Sequence, residues 1–138
     1  VEASVKLGAL SVDHLEEIRE EDFVSLQNSD CMPTLLPSCS FFLGIPYSPA
    51  KEMIERGLPV ALATDYNPGS SPSGNMNFVA SIGCIQLQMT PEEVINATTI
   101  NTAYAMGVEK ELGSICLDFG AGSTSISFFE NNKIIFTI

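Results

Sequence analysis

Apolar residues along this chain gather into short continuous runs, separated by helix-sized segments of mixed character. The first run, Leu7 to Val12, gives way abruptly to Asp13, His14, Leu15 and Glu16, and reads as a buried strand with polar residues at its C-terminal end. From Glu16 to Asn28, Ile18, Phe23, Val24 and Leu26 recur among acidic residues at a spacing nearer 3.6 than 2, which predicts one or two helical turns. A second run, Met32 to Leu36, is stopped by Pro37. Ser48 and Pro49 then supply an N-cap and an N1 proline for a helix over Ala50 to Arg56, with Gly57 as its C′ residue. Leu58 to Ala63 forms the third strand and ends at Thr64 and Asp65.

Strands that are apolar on both faces and recur after helix-sized pieces point to parallel βαβ crossovers rather than hairpins. Tyr66 to Gly74 is a loop, with Pro68, Pro72, Gly69 and Gly74 among three serines. Asn75 to Gln88 returns to a helical mixture. The sharpest helix signal starts at Thr90, where Pro91 sits at N1 and Glu93 completes a T-x-x-E capping box. Val94, Ile95, Ala97, Ile100, Ala103 and Met106 form its expected buried stripe, and Gly107 ends it. From Cys116 the character changes: a D-F-G-A-G-S-T stretch after Leu117, then Ile126 to Phe129, a turn at Glu130 to Lys133, and the run Ile134 to Ile138 make a β-hairpin pattern.

Composition narrows the function classes. Over 138 residues, 45% are apolar and 17% charged, enough for a real core and against intrinsic disorder. The net charge of −11 repels polyphosphate, so nucleic acid is excluded as an expected partner. No apolar run approaches the roughly 20 residues of a membrane helix, and no secretory signal pattern opens the sequence, so the expectation is a cytoplasmic protein without membrane contact. Cys31, Cys39, Cys84 and Cys116 form no C-x-x-C pair and are expected as buried reduced thiols.

In parallel α/β folds, functional groups gather beyond the carboxyl ends of the strands. Asp13 and His14 follow the first strand, and Asp65 with Asn67 follows the third. Four blocks carry a more specific signal: L-G-A-L-S-V-D-H-L-E (Leu7 to Glu16), T-L-L-P-S-C-S-F-F-L-G (Thr34 to Gly44), A-L-A-T-D-Y-N-P-G-S-S-P (Ala61 to Pro72) and M-T-P-E-E-V-I-N-A-T-T-I-N-T-A-Y-A-M-G (Met89 to Gly107). In this order they resemble the C-terminal part of the imidazolonepropionases, amidohydrolases of histidine degradation. The resemblance covers residues 1–115.

It implies an α/β fold, part of a (β/α)8 (TIM) barrel with about three parallel strands and their helices; the C-terminal β-hairpin is read from the pattern of residues 116–138 alone. The resemblance also implies a zinc- or iron-dependent hydrolase that opens the ring amide of 4-imidazolone-5-propanoate to N-formimidoyl-L-glutamate by attack of a metal-bound hydroxide. Asp65 matches the aspartate that closes the metal site and can take a proton from bound water. His14 matches an active-site histidine suited to polarise the ring carbonyl or shuttle a proton. Asn67 and Gly69 match positions that hold the glutamate-like product, and Ser70 a substrate contact.

Two departures qualify those expectations. A full barrel takes about 250 residues, and the family's His-x-His pair, later metal histidine, catalytic glutamate and substrate-binding Arg and Tyr have no counterpart here. With one histidine, the chain is expected to bind no metal alone and to act on its small-molecule substrate only if the missing strands are supplied. Residues 116–138, taken as a tail of different origin, resemble the phosphate-binding hairpin of actin-like cell-division ATPases, with Asp118, Gly120, Gly122 and Thr124 as the pattern; an ordinary glycine-rich turn is the competing reading. The expectations that remain are a hydrolase fragment inactive alone, a rearranged non-catalytic α/β protein that self-associates, or a nucleotide-binding fragment.

Overall fold

A computed structural model of the chain describes residues 1–107 in full and, beyond them, the backbones of three strands at 115–119, 124–130 and 133–137. The chain opens on a helix, α1 (Glu2–Lys6), where no element was expected. Gly8, at φ +71°, reverses its end: the Gly8 N–H donates to the Val5 carbonyl and the Ala9 N–H to the Ser4 carbonyl, both at 3.0 Å. Leu7 is therefore a helix C-cap, 86% exposed, and strand β1 is only Ser11–Asp13. The run Leu7 to Val12 thus contains a helix end, a turn and a strand, which hydrophobicity over so short a stretch does not separate.

The expected crossovers are present. β1, β2 (Met32–Leu35) and β3 (Ala61–Leu62) form one sheet in that order, all parallel, with Asp13 opposite Thr34, Thr34 opposite Ala61, and Leu35 opposite Leu62. Helix α2 (Glu20–Gln27) joins β1 to β2, burying Phe23 and Leu26. Its first turn is acidic, as the helix dipole favours, and the Asp22 carboxylate accepts the Arg19 N–H at 3.1 Å. β2 is buried along its whole length.

Two short helices then join β2 to β3. Pro37 does more than stop β2, because it is the N1 residue of α3 (Pro37–Leu43), which Gly44 ends in the left-handed region at φ +66°. In α4 (Ala50–Glu55) the cap position falls on Pro49. Ser48, expected to cap it, instead donates its hydroxyl to the His14 carbonyl at 2.7 Å.

Leu35, Met53, Val60, Leu62, Val79, Leu87 and Val94 share one core between the sheet and its helices. α5 (Met76–Ile85) is capped by Asn75, whose side-chain oxygen accepts the Asn77 and Phe78 N–H groups. A Cβ at Gly83 would meet Leu62 and Val94 side chains at 3.1 Å, so the absence of a side chain there allows α5 to lie close to the sheet. The Thr90 capping box forms as read: Thr90 Oγ1 accepts the Glu93 N–H at 3.2 Å, and Glu93 accepts the Thr90 N–H at 2.7 Å.

The helix it opens is not continuous. α6 (Pro91–Thr98) breaks at Thr99, whose backbone leaves the helical region at φ −125° and ψ −82°, and α7 (Ile100–Ala105) follows it. Thr98 and Thr99 turn their hydroxyls back onto the Val94 and Ile95 carbonyls, while Asn101 and Thr102 donate to the Val60 and Leu62 carbonyls of the third strand segment. The break corrects the expected stripe: Val94 and Ala97 are buried, but Ile95, Ile100 and Met106 are exposed. In the tail, β4 (Ile115–Phe119), β5 (Thr124–Glu130) and β6 (Lys133–Thr137) form a separate antiparallel sheet, in which Phe128 opposes Phe136 and Glu130 opposes Lys133.

Candidate active site

Because β1, β2 and β3 are parallel, their C-terminal ends open on one edge of the sheet, and His14 and Asp65 both lie just beyond it. Both leave their strands through left-handed backbone, with φ +74° at His14, +71° at Leu15 and +51° at Asp65. That conformation costs an L-residue about 1–2 kcal/mol, so neighbouring contacts must hold it. At His14 those contacts are the Ser48 hydroxyl on its carbonyl and the burial of Leu15 beneath it. At the end of β3, Ser38 and Ser71 both donate to the Thr64 carbonyl, at 3.1 and 2.6 Å, and Asn67 Nδ2 donates to the Asp65 carbonyl at 2.7 Å.

The loop after Asp65 is organised around Asn67. Its Oδ1 accepts the Gly69 and Ser70 N–H groups at 2.9 and 2.8 Å, and its Nδ2 also reaches Ser70 Oγ at 2.8 Å. Asn67 and Ser71 close the loop with two backbone hydrogen bonds, Asn67 N–H to the Ser71 carbonyl and Ser71 N–H to the Asn67 carbonyl. Ser70 Oγ lies within donating distance of both Asn67 Oδ1, at 3.0 Å, and Asp65 Oδ2, at 3.1 Å, and donation to the latter completes a relay of hydrogen bonds from the Asn67 amide through Ser70 to the carboxylate. Both amide hydrogens and both oxygen lone pairs of Asn67 are used inside the loop. In this arrangement Asn67 builds the site; Gly69 is exposed and Ser70 half-buried.

A second group gathers at β1. His14 Nδ1 lies 3.3 Å from Glu16 Oε1, and Ser40 Oγ donates to the same oxygen at 3.4 Å. Between the two strand ends sits Cys39 on α3, 2% exposed. Burial pushes its thiol up from the ordinary value, a hydrogen bond with Ser70 opposes the rise, and the Asp65 and Glu16 carboxylates add to it. Helix α3 links the two strand ends, its Ser40 reaching Glu16 and its Ser38 the Thr64 carbonyl, with Cys39 between them. His14 and Asp65 are separated by the central strand, at about 4.8 Å per strand spacing.

Glu16, Ser38, Ser40, Ser48 and Ser71 were not singled out from sequence as site residues. The only signal for Glu16 was its place two residues beyond His14. The serines reveal themselves only when β2 and its following helix are set between the two outer strands. Among the described residues, no group of three His, Cys, Asp or Glu side chains could hold a metal ion. One Asp65 oxygen is engaged by Ser70, His14 Nδ1 faces Glu16, and Cys39 is a buried thiol, so this donor set does not fit a complete metal site. In the tail, Asp118 pairs with Ser125 and Thr124 with Phe119; Gly120 and Gly122 lie outside the described residues.

Residues 11–130 match the model of the amidohydrolase family. The match crosses the boundary expected after residue 115. The imidazolonepropionase of Flavobacterium johnsoniae is 62% identical over 115 residues, covering 83% of this chain and 28% of the relative. That of Caldanaerobacter subterraneus subsp. tengcongensis is 47% identical over 109 residues, 79% of this chain and 26% of the relative. The chain therefore spans little more than a quarter of the length of the curated relatives it matches.

Among solved structures, a zinc-bound adenosine deaminase from Xanthomonas campestris superposes with a TM-score of 0.70 at 17% identity, over 80% of this chain and 29% of that one. An ochratoxinase of A. niger gives 0.68 at 18% identity, over 96% and 38%. Three parallel strands with their helices thus correspond to part of an amidohydrolase barrel. Among the described residues, no helix is long and apolar enough to cross a membrane.

Proposed function

This chain belongs to the amidohydrolase family, and on that footing we propose that it supplies the closing strands of an imidazolonepropionase. The reaction is hydrolysis of a cyclic amide. Water adds to the ring carbonyl of 4-imidazolone-5-propanoate, the ring C–N bond breaks, and the departing nitrogen takes a proton to give N-formimidoyl-L-glutamate. Asp65 orients the attacking water and accepts its proton, with Ser70 holding the carboxylate and Asn67 holding Ser70. Asn67 and Gly69 hold the glutamate-like product and Ser70 contacts the substrate, the roles that the resemblance implies for them. His14, across the strand ends, polarises the ring carbonyl or carries a proton.

The zinc or iron implied by the resemblance would take no more than Asp65 from the described residues, and its other ligands would have to come from outside them. The observation that carries the reading is Asp65. It is a carboxylate on left-handed backbone at a strand end, secured by its own loop, within a segment 62% identical to the Flavobacterium enzyme.

A chimera tests it directly: residues 1–115 replace the corresponding segment of the Flavobacterium johnsoniae imidazolonepropionase. The chimera is expected to consume 4-imidazolone-5-propanoate and release N-formimidoyl-L-glutamate. A folded chimera that does neither would refute the proposal.

A further inference from the structure

The chain has one histidine, and its ring is held at one nitrogen. His14 Nδ1 faces Glu16 Oε1 at 3.3 Å, and that oxygen is itself anchored by Ser40. The Glu16 side chain is 15% exposed and the His14 ring 51%, so the carboxylate is the packed partner and the ring its outer tip. An ionised carboxylate only accepts hydrogen bonds, so the hydrogen in this contact belongs to Nδ1. The backbone beneath is equally constrained, by the left-handed His14 and Leu15 pair, the buried Leu15 side chain and the Ser48 hydroxyl on the His14 carbonyl.

A hydrogen on Nδ1 leaves Nε2 of the neutral ring with a lone pair and no proton. We propose that Glu16 is a positioning residue that locks neutral His14 in the Nδ1–H tautomer, so that Nε2 enters the reaction as a proton acceptor and not as a donor polarising the ring carbonyl. The role of Nε2 rests on the hydrolase reading above; the tautomer does not. In that reaction, with the first proton of water on Asp65, the second passes from the hydroxyl of the adduct to Nε2, giving an imidazolium ion facing the Glu16 carboxylate. Nε2 then delivers it to the departing ring nitrogen, and the imidazole is neutral again. An unconstrained neutral histidine favours the other tautomer, with hydrogen on Nε2, so the expected state is distinctive.

The single histidine makes the test clean. Nitrogen-15 NMR of the imidazole in the full chain, above its titration range, is expected to give a protonated Nδ1 and an unprotonated Nε2. Glu16→Ala is expected to shift the ring toward the Nε2–H form, and Glu16→Gln, which keeps an acceptor oxygen, to retain the Nδ1–H form. A wild-type ring protonated on Nε2, or one unchanged by Glu16→Ala, would overturn the proposal; the wild-type spectrum decides even if the alanine variant does not fold. In the chimera, Glu16→Ala is expected to lower kcat about 10–100-fold with little change in KM. Loss through KM alone would also overturn the positioning role. An inactive chimera with the Nδ1–H tautomer intact would count against the hydrolase reading and leave the Glu16 contact standing.

Discussion

Asn67→Ala removes one small side chain from a partly exposed loop, yet five hydrogen-bond contacts depend on it. These are Nδ2 to the Asp65 carbonyl and to Ser70 Oγ, and the Gly69 N–H, the Ser70 N–H and Ser70 Oγ to Oδ1, at 2.7, 2.8, 2.9, 2.8 and 3.0 Å. Each is worth about 0.5–1.5 kcal/mol net, and water replaces part of what is lost at the exposed Gly69 side, so the expected cost is about 1–3 kcal/mol. The loss is local, because the two backbone bonds between Asn67 and Ser71 remain. Amide hydrogen exchange at Gly69 and Ser70 is therefore the sensitive assay, with urea unfolding followed by far-UV circular dichroism as the global one. Exchange at both amides should accelerate. Without the amide on the Asp65 carbonyl and on Ser70, the carboxylate loses its fixed direction, and kcat in the chimera should fall about 100-fold. Unchanged exchange at Gly69 and Ser70 with an unchanged urea midpoint would refute the reasoning that Asn67 builds this loop.

Thr90→Ala removes half of the α6 capping box and should cost about 0.5–2 kcal/mol by urea unfolding, with Glu93→Ala acting on the same pair less than additively. Cys31 and Cys39 both have thiols pushed up by burial, so the folded chain keeps these protons at a pH where the unfolded chain has lost them. Their contribution to stability is full below the ordinary thiol range and is lost as pH rises toward the raised values, so the urea midpoint should fall on moving from pH 7 to pH 10 at about the rate that removing both thiols abolishes. The 138-residue chain by itself, with zinc or iron added, should show no hydrolysis of 4-imidazolone-5-propanoate, because its described residues do not assemble a metal site. Metal-dependent turnover that Asp65→Ala abolishes would contradict this.

The parallel order of the sheet was legible because its strands are apolar on both faces and the pieces between them are helix-sized. The Thr90 box was legible because its two partners are three residues apart and need nothing from the rest of the fold. What escaped was decided by tertiary contacts. Leu7 belongs to a helix end because Gly8 turns the chain, and the helix after Thr90 breaks because Asn101 and Thr102 bind carbonyls of the third strand segment, some 40 residues earlier in sequence. At the site, Asp65 and His14 were visible as polar residues closing apolar runs. Glu16 and the serines were not, since a Glu in an acidic stretch and a Ser before a proline are ordinary until the strand ends are brought together. Asn67 was visible as a site position, but its part in forming the loop depends on bonds to Asp65, Gly69 and Ser70 that only the folded turn creates.

The most direct test of the central claim, that Asp65 at the end of β3 serves amide hydrolysis, is the steady-state kinetics of Asp65→Asn in the chimera with the Flavobacterium johnsoniae enzyme. The substitution keeps the shape of the side chain and an oxygen for Ser70, and removes the carboxylate that takes a proton from water. The expected result is a fall in kcat of at least about 100-fold, with the thermal midpoint unchanged. A variant that retains the kcat of its parent chimera would contradict the account.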